Sequence, residues 1–288
     1  MRNVLETVEK VLDHDVSILI LGESGVGKDY LAEAIHACSI RRDAPFVHID
    51  CANIPAELFE SEIFGHERGT FTDAQTRKIG KLEIAQSGTV YLDEISSLTP
   101  QLQAKLLRAI QEKRFTRLGG TTVIPFEARV ISSSNVDLTS LLASGALRRD
   151  LYYRINVVTL TLPPLRERAE DVLPLAKRFL KRKRLDAEAE RIVTCYAWPG
   201  NVRELRNALE RAALLADGES ISGASLPMRN SDDLVMTAAR GEWTLDQLES
   251  HYIREVLRRT RSNYSKAAEI LGINRKTLLE KRKKYGLE

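Results

Sequence analysis

The first twelve residues carry apolar side chains at helical spacing: Val4, Leu5, Val8, Val11 and Leu12 predict an amphipathic helix. The pattern then tightens into an unbroken apolar run, Ile18-Leu19-Ile20-Leu21, short enough to be a buried strand, and returns to helical spacing over residues 30–35. Phe46-Val47-His48-Ile49-Asp50-Cys51, Thr89-Val90-Tyr91-Leu92, Ala128-Arg129-Val130-Ile131 and residues 157–162 read as further strands. Alternation of strands with helical stretches predicts an α/β fold with a parallel, doubly wound sheet. Leu102, Leu106, Leu107, Ile110 and Phe115 share a face, so residues 98–115 are expected to form one helix. Residues 61–74 show no period and hold a phenylalanine beside glycines, the mark of a surface loop whose tip makes a contact. From Arg166 the strands stop, and helices are expected over residues 169–183, 188–196 and 202–216. Residues 217–241 are rich in Ser, Gly and Asp and read as a linker. Thr244-Leu245-Asp246-Gln247 is a capping box opening a helix through residue 259. Two short amphipathic stretches joined at Gly272 then form a helix-turn-helix.

Composition changes this picture at one end of the chain only. Apolar content of 43% and charged content of 29% describe an ordinary globular protein, and a net charge of +3 does not by itself argue a nucleic-acid partner. Residues 261–288, however, hold eight Lys/Arg against three Asp/Glu, a local excess that points to double-stranded DNA. The second helix of the motif begins at Asn274, Arg275, Lys276 and Thr277, the end expected in the major groove, with Lys281 near phosphates. Cys38, Cys51 and Cys195 form no Cys-x-x-Cys pair, so free thiols and no zinc site are expected. The chain start lacks a signal-peptide core, and no apolar run reaches the length of a membrane span. The expectation is a cytoplasmic protein with no membrane partner.

The candidate chemistry lies at strand ends. Gly22-Glu23-Ser24-Gly25-Val26-Gly27-Lys28-Asp29 follows the first strand and opens a helix, the context of a phosphate-binding loop. Its glycines let amide groups turn on a polyphosphate, the helix start adds partial positive charge, and Lys28 reaches the outer phosphates. The generic loop has Ser or Thr after the lysine, where this chain has Asp29. Asp93 and Glu94 end another strand, where the first acid helps hold Mg²⁺ and the second is placed to activate a water. Asn135, at a third strand end, either orients that water or closes an Asx-turn. Arg148, Arg149 and Arg154 form either a solvated face or a source of charge for a transferring phosphoryl group.

Taken together these motifs resemble the AAA+ bacterial enhancer-binding proteins, the sigma-54-dependent transcriptional activators, over essentially the full chain. Residues 22–29 resemble the family's Walker A, in which an acid after the lysine is normal. Ile84 to Asp93 resembles its second ATP signature and Walker B, and Trp198-Pro199-Gly200-Asn201-Val202-Arg203 its third, with Arg203 at sensor II. The resemblance places Asn135 at sensor I and Arg148 and Arg154 at arginine fingers that enter the neighbouring subunit's site in a homo-oligomeric ring, usually a hexamer. It implies a P-loop AAA+ sheet with a helical lid and a Fis-type helix-turn-helix, divided as 1–165, 166–218, 219–243 (linker) and 244–288. It implies ATP and Mg²⁺ as cofactors, and sigma-54 RNA polymerase as a partner met by Phe71 and Thr72. Asp73 stands where the family's loop has glycine, Asp50 where many members have an Asn that switches the Walker B glutamate, and Ser87 where another residue is usual in the second signature. Asp50 is expected to repel Glu94. Without a receiver or ligand-sensing domain, input is expected from a regulatory partner in trans. The alternative reading is a DNA-binding regulator of the same family that no longer engages sigma-54 and uses nucleotide only to control oligomerisation.

Overall fold

The computed structural model describes residues 1–71, 74–181, 183–216, 218–226, 243–260 and 263–286. Thr72, Asp73 and most of the expected linker therefore lie outside the described residues. Those described divide into two compact units, one of residues 1–179 with 197–207, the other of residues 180–196 with 208–288.

The first unit is built on five strands: β1 (Ile18–Leu21), β2 (Phe46–Asp50), β5 (Thr89–Asp93), β8 (Arg129–Ser134) and β9 (Val158–Thr161). They lie in the order β2-β5-β8-β1-β9, every neighbouring pair parallel. Helices α1 (Arg2–Val11), α2 (Lys28–Cys38), α3 (Ala56–Phe64), α4 (Lys81–Ile84), α5 (Pro100–Glu112), α6 (Leu138–Ser144) and α7 (Arg149–Ile155) connect them. Parallel strands need such crossovers, and the crossovers cover both faces. One core gathers Leu19, Ile49, Leu92 and Val130 with residues of α3 and α5; the other gathers Ile18, Ile20, Tyr91, Ile131 and Leu160 with α2. Adjacent residues of one strand thus feed opposite cores, as alternation requires. Registers Leu21↔Ser134 and Leu92↔Ser132 bring the carboxyl ends of β1, β5 and β8 together. That is where an open parallel sheet binds ligands.

Buried Arg129 ties α1 to this sheet. Its guanidinium donates to the carbonyls of Val11, Leu12 and Val16 at 2.7, 3.0 and 3.2 Å, satisfying the open end of the helix with a positive charge.

Three expectations change. The helix predicted through residue 115 ends at Glu112, because Lys113 adopts a left-handed conformation (φ 54°). Phe115 still reaches the core, but from β6 (Arg114–Thr116), which pairs antiparallel with β7 (Val123–Pro125). The aperiodic stretch of residues 61–74 is not all loop: Ser61 to Phe64 close α3, and β3 (Gly65–His66) pairs with β4 (Lys78–Ile79). The helix expected over residues 169–183 starts as a 3₁₀ turn, Ala169–Asp171, and continues as α8 (Val172–Leu180).

The second unit contains α9 (Ala187–Cys195), the later part of α10 (Asn201–Leu215), and the short parallel pair β10 (Arg184–Leu185) and β11 (Ser220–Ile221). Asp186 caps α9 by accepting from the Ala189 amide at 2.7 Å, and Lys183 Nζ donates to the carbonyls of Ala213 and Ala216. The chain's last helices are α11 (Leu245–Arg259), α12 (Tyr264–Ile270) and α13 (Arg275–Lys284), packed around Ile253, Val256, Leu257, Ala267, Ala268 and Leu278. The expected capping box is present: the Thr244 amide donates to Gln247 Oε1 at 2.8 Å, and the Gln247 amide to Thr244 Oγ1 at 3.3 Å. Among the described residues, no helix is long and apolar enough to cross a membrane.

Candidate functional site: a glycine loop between two acids and an arginine brace

The glycine loop leaves β1 at Gly22 and enters α2 at Lys28. Gly25 has φ 72°, and a Cβ there would meet the Gly200 carbonyl at 2.5 Å and Arg203 Cβ at 3.0 Å, so only glycine fits. Gly27 has φ 106° and faces open space, with nothing within 4 Å of an added Cβ. The first turn of α2 has no side-chain cap, so its amides remain for a ligand. Lys28 is buried; its ammonium donates to the carbonyls of Gly22 (3.0 Å) and Glu23 (3.4 Å) and lies 3.6 Å from Glu94 Oε1. The structure thus holds an open cradle with a cation at its edge, which fits a polyphosphate.

The acids stand at the end of β5. Asp93 Oδ1 accepts from the hydroxyls of Ser133 and Tyr91, the latter at 3.0 Å, and its Oδ2 lies 4.0 Å from His48 Nε2. Asp29 Oδ1 is also 3.0 Å from the Tyr91 hydroxyl. Burial, with Asp29 and Asp93 alongside, pushes the Tyr91 phenol well above its ordinary value. Glu94 adopts a left-handed backbone conformation (φ 54°), which costs energy in a residue with a side chain. Its amide donates to Ser133 Oγ at 3.1 Å, and its Oε2 accepts from the Asn135 amide at 3.3 Å. The Asn135 side chain is exposed beside it. Oxygen donors from one or two carboxylates, with room beside a phosphate cradle, match how a protein holds Mg²⁺. No group of three or more His, Cys, Asp or Glu suited to a metal occurs among the described residues. A cation here would share its ligands with the phosphates.

The Asp50 carboxylate is engaged within its own turn. It accepts from the amides of Ala52 and Asn53 at 3.0 and 3.1 Å and from Asn53 Nδ2 at 2.6 Å, closing the turn after β2. These hydrogen bonds are those of an Asx turn.

The opposite side of the loop is braced by Arg166 and Arg168, which the sequence did not reveal as site residues, and by Asn201 and Arg203 of the third signature. Arg166 grips Glu23 with two hydrogen bonds of 2.9 and 2.6 Å. Asn201 is fully buried with φ 53°, an unusual conformation that asparagine tolerates. Its Nδ2 donates to Glu23 Oε2 (3.0 Å) and the Ser24 carbonyl (3.1 Å), while its Oδ1 accepts from the Leu165 amide. Arg168 donates to the Val26 carbonyl at 2.8 Å. Arg203, predicted from its motif, reaches Ser24 Oγ at 3.0 Å. The Arg166 pair, with help from Asn201, lowers the Glu23 carboxyl from its ordinary 4.5 to about 2. A depressed carboxylate stabilises the fold above pH 4.5 and loses that contribution as pH falls toward about 2. Both partners keep over 40% of their side-chain surface, so solvent screening keeps this contribution small. Glu23→Gln is expected to lower the urea midpoint slightly at pH 7 and to flatten the midpoint profile between pH 4.5 and 2, where variant and wild type converge; an unaltered acid slope would contradict the assignment.

Other predicted residues lie apart from this constellation. Arg148 forms a bidentate pair with Asp150 (3.1 and 2.7 Å), and Arg154 Nη2 donates to the Ile110 carbonyl at 3.5 Å. Both are exposed, and among the described residues neither hydrogen-bonds to the loop of residues 22–29. Ile84 is half-exposed at the end of α4. Phe71 is 42% exposed and its ring meets His66 edge-on at 4.9 Å. Below it, the Arg117 guanidinium is buried between Glu67 (2.7 Å) and Glu83 (2.9 and 2.6 Å), and Thr70 Oγ1 donates to the Leu118 carbonyl at 3.0 Å. The base of the Phe71 loop is thereby pinned to the turn after β6.

In the helix-turn-helix, Asn274 caps α13, accepting from the Thr277 amide and hydroxyl at 2.8 and 3.0 Å. Arg275 and Lys276 are exposed in its first turn. The Lys281 ammonium is held by both oxygens of Glu249 (2.6 and 2.8 Å), and that of Lys284 by Asp246 (3.0 Å).

A parallel sheet whose adjoining strand ends carry a glycine loop with lysine and an acid pair defines a P-loop nucleotide-binding protein, here with the AAA+ ATPase fold. Residues 1–161 match the Sigma-54 interaction domain, residues 166–240 the AAA+ ATPase lid domain and residues 244–285 the Fis-family bacterial regulatory domain. The chain belongs to this family of sigma-54-interacting regulators. It is 43% identical to transcriptional regulatory protein ZraR of Klebsiella oxytoca, over 98% of this chain and 66% of that protein. It is 40% identical to regulatory protein AtoC of Escherichia coli K12, over 100% of this chain and 66% of that protein. The crystal structure of NtrX from Brucella abortus in complex with ATP superposes with a TM-score of 0.73 at 33% identity, covering 100% of this chain and 68% of that one. The chain thus spans about two thirds of the length of the relatives it matches.

Proposed function

We propose that this chain hydrolyses ATP in a ring of like subunits and uses the work to activate transcription by sigma-54 RNA polymerase from upstream DNA. The observation that carries the reading is Lys28 and Glu94 meeting at 3.6 Å over an open glycine loop, with Arg203 at Ser24 on its other side. In this reading the loop amides and Lys28 bind the phosphates, and Arg203 follows the nucleotide from the lid side. Glu94, freed from Lys28 when a phosphate takes the ammonium, accepts the proton of the attacking water, and Asn135 helps to orient that water. Asp93, next to Asp29, would hold Mg²⁺, which supplies charge neutralisation on the phosphate oxygens. Arg148 and Arg154, exposed and away from their own loop, are assigned to the neighbouring subunit's site.

Phe71 and Thr72 are assigned to the sigma factor, and Asn274, Arg275, Lys276, Thr277 and Lys281 to DNA. The domain boundaries proposed are 1–165, 166–218 and 244–288. The test is open-complex formation on a sigma-54 promoter with ATP and with a non-hydrolysable analogue, run alongside ATPase rates across protein concentrations. Open complexes that require hydrolysis, and rates per subunit that rise with concentration, are expected. Equal yields with both nucleotides would favour the alternative, a DNA-binding regulator in which nucleotide only sets oligomeric state; that reading draws its support from Asp73 in place of glycine.

A further inference from the structure

Tyr91 and Asp93 occupy alternate positions of β5 and so project on the same face of the sheet. The Tyr91 ring is fully buried, stacked on Phe46 at 6.2 Å and tilted against His48 at 4.9 Å. A phenylalanine would fill this slot equally well, so the hydroxyl is the part that needs explaining. It lies 3.0 Å from Asp93 Oδ1 and 3.0 Å from Asp29 Oδ1, which links the acid of β5 to the first turn of α2. One hydroxyl has one proton and donates to one carboxylate at a time, so the two acids are held across a single donor. Ser133 Oγ donates to the same Asp93 oxygen. The terminal torsion of an aspartate is broad, and two hydroxyls on Oδ1 fix it. With Oδ1 so engaged, Oδ2 is the Asp93 oxygen left for another ligand, with His48 Nε2 4.0 Å from it.

We infer that Tyr91 is a positioning residue for the cation-holding acid: through its hydroxyl it sets the orientation of Asp93 and its spacing from Asp29 on the phosphate-loop helix. The inference rests on the nucleotide and magnesium reading proposed above. It differs from the bland account, in which the hydroxyl merely finds a partner for itself, in what its removal should change. Groups that orient a metal-binding side chain typically influence affinity for the ion by one to two orders of magnitude.

The test uses the full chain and a fluorescent ADP analogue, first in EDTA and then titrated with MgCl₂. Tyr91→Phe keeps the ring and opens no cavity. It is expected to bind the analogue in EDTA as the wild type does, and to need about tenfold more MgCl₂ for the half-maximal magnesium-dependent change in binding. Phe46→Leu serves as the control, since it disturbs the packing of the same ring without touching the hydroxyl, and its magnesium midpoint is expected to stay at the wild-type value. A Tyr91→Phe midpoint equal to wild type would overturn the inference, as would an equal shift in Phe46→Leu. If the wild type itself fails to bind the analogue, or binds it with no response to MgCl₂, the nucleotide reading falls and takes the inference with it. The two failures are therefore told apart by the wild-type titration alone.

Discussion

Glu94→Gln is expected to lower ATP hydrolysis by about a hundredfold to ten-thousandfold while leaving nucleotide binding within a few-fold of wild type. The argument comes from what the carboxylate touches. Its Oε1 faces Lys28 Nζ at 3.6 Å and its Oε2 accepts from the Asn135 amide at 3.3 Å. A glutamine keeps the shape and can accept from that amide, so the loop geometry should survive. It cannot take a proton from water, and it no longer balances the lysine. Removing the counter-charge leaves Lys28 freer for phosphate, so binding should hold or tighten slightly. Steady-state hydrolysis beside equilibrium binding of a fluorescent nucleotide separates the two effects. Equal losses in both would show that Glu94 shapes the cradle and does not act as the base.

Arg117→Ala is expected to destabilise the first unit by about 3 kcal/mol. Arg117 is 6% exposed and makes three charge-assisted hydrogen bonds to Glu67 and Glu83. Alanine would leave the Glu67 and Glu83 carboxylates without the guanidinium between them, Glu83 keeping Arg77 at 3.8 Å, and removing one member of a buried charge cluster costs more than the intact cluster contributes. Glu67 and Glu83 keep 34% and 21% of their side-chain surface, so water recovers part of the penalty and the lower end of the range applies. Arg117→Lys restores the charge without the planar fork and should recover less than half of the loss. Urea midpoints of the three proteins decide it, and an Arg117→Ala midpoint close to wild type would show the cluster to be dispensable. Because Glu67 also begins the loop that bears Phe71, the same variant should loosen that loop's base.

The contrast between these two sites explains what the sequence could reveal. Lys28, Asp93, Glu94 and Asn135 were legible because each ends a strand or opens a helix, and adjoining parallel strands bring such ends to one place. Arg166 and Arg117 were hidden, since their partners lie from 34 to 143 positions away. Nothing in local spacing encodes such pairings. Tyr91 was within reach, because strand alternation alone puts it on the same face as Asp93. Phe115 shows a pattern stretched too far: Leu102, Leu106 and Ile110 hold a true helical face, but five residues beyond Ile110 is not on it. The left-handed Lys113 turns the chain first. Asp50 shows the limit of argument by position, since its carboxylate satisfies nearby amides before any distant charge.

The ion pairs of α11 with α13 bear on how a polyanion would perceive the C-terminal helices. Residues 261–288 carry eight cationic side chains, yet Lys281 and Lys284 already have carboxylate neighbours in Glu249 and Asp246. Ions condensed on a nucleic acid are displaced by uncompensated cations, and a lysine that arrives with its own anion displaces few. The two acids thus act as built-in counterions. They make the attraction of these helices for arbitrary phosphate backbones weaker, and less sensitive to ionic strength, than a count of lysines and arginines implies. On the DNA reading proposed above, recognition would rest more on the exposed start of α13, where Arg275 and Lys276 stand.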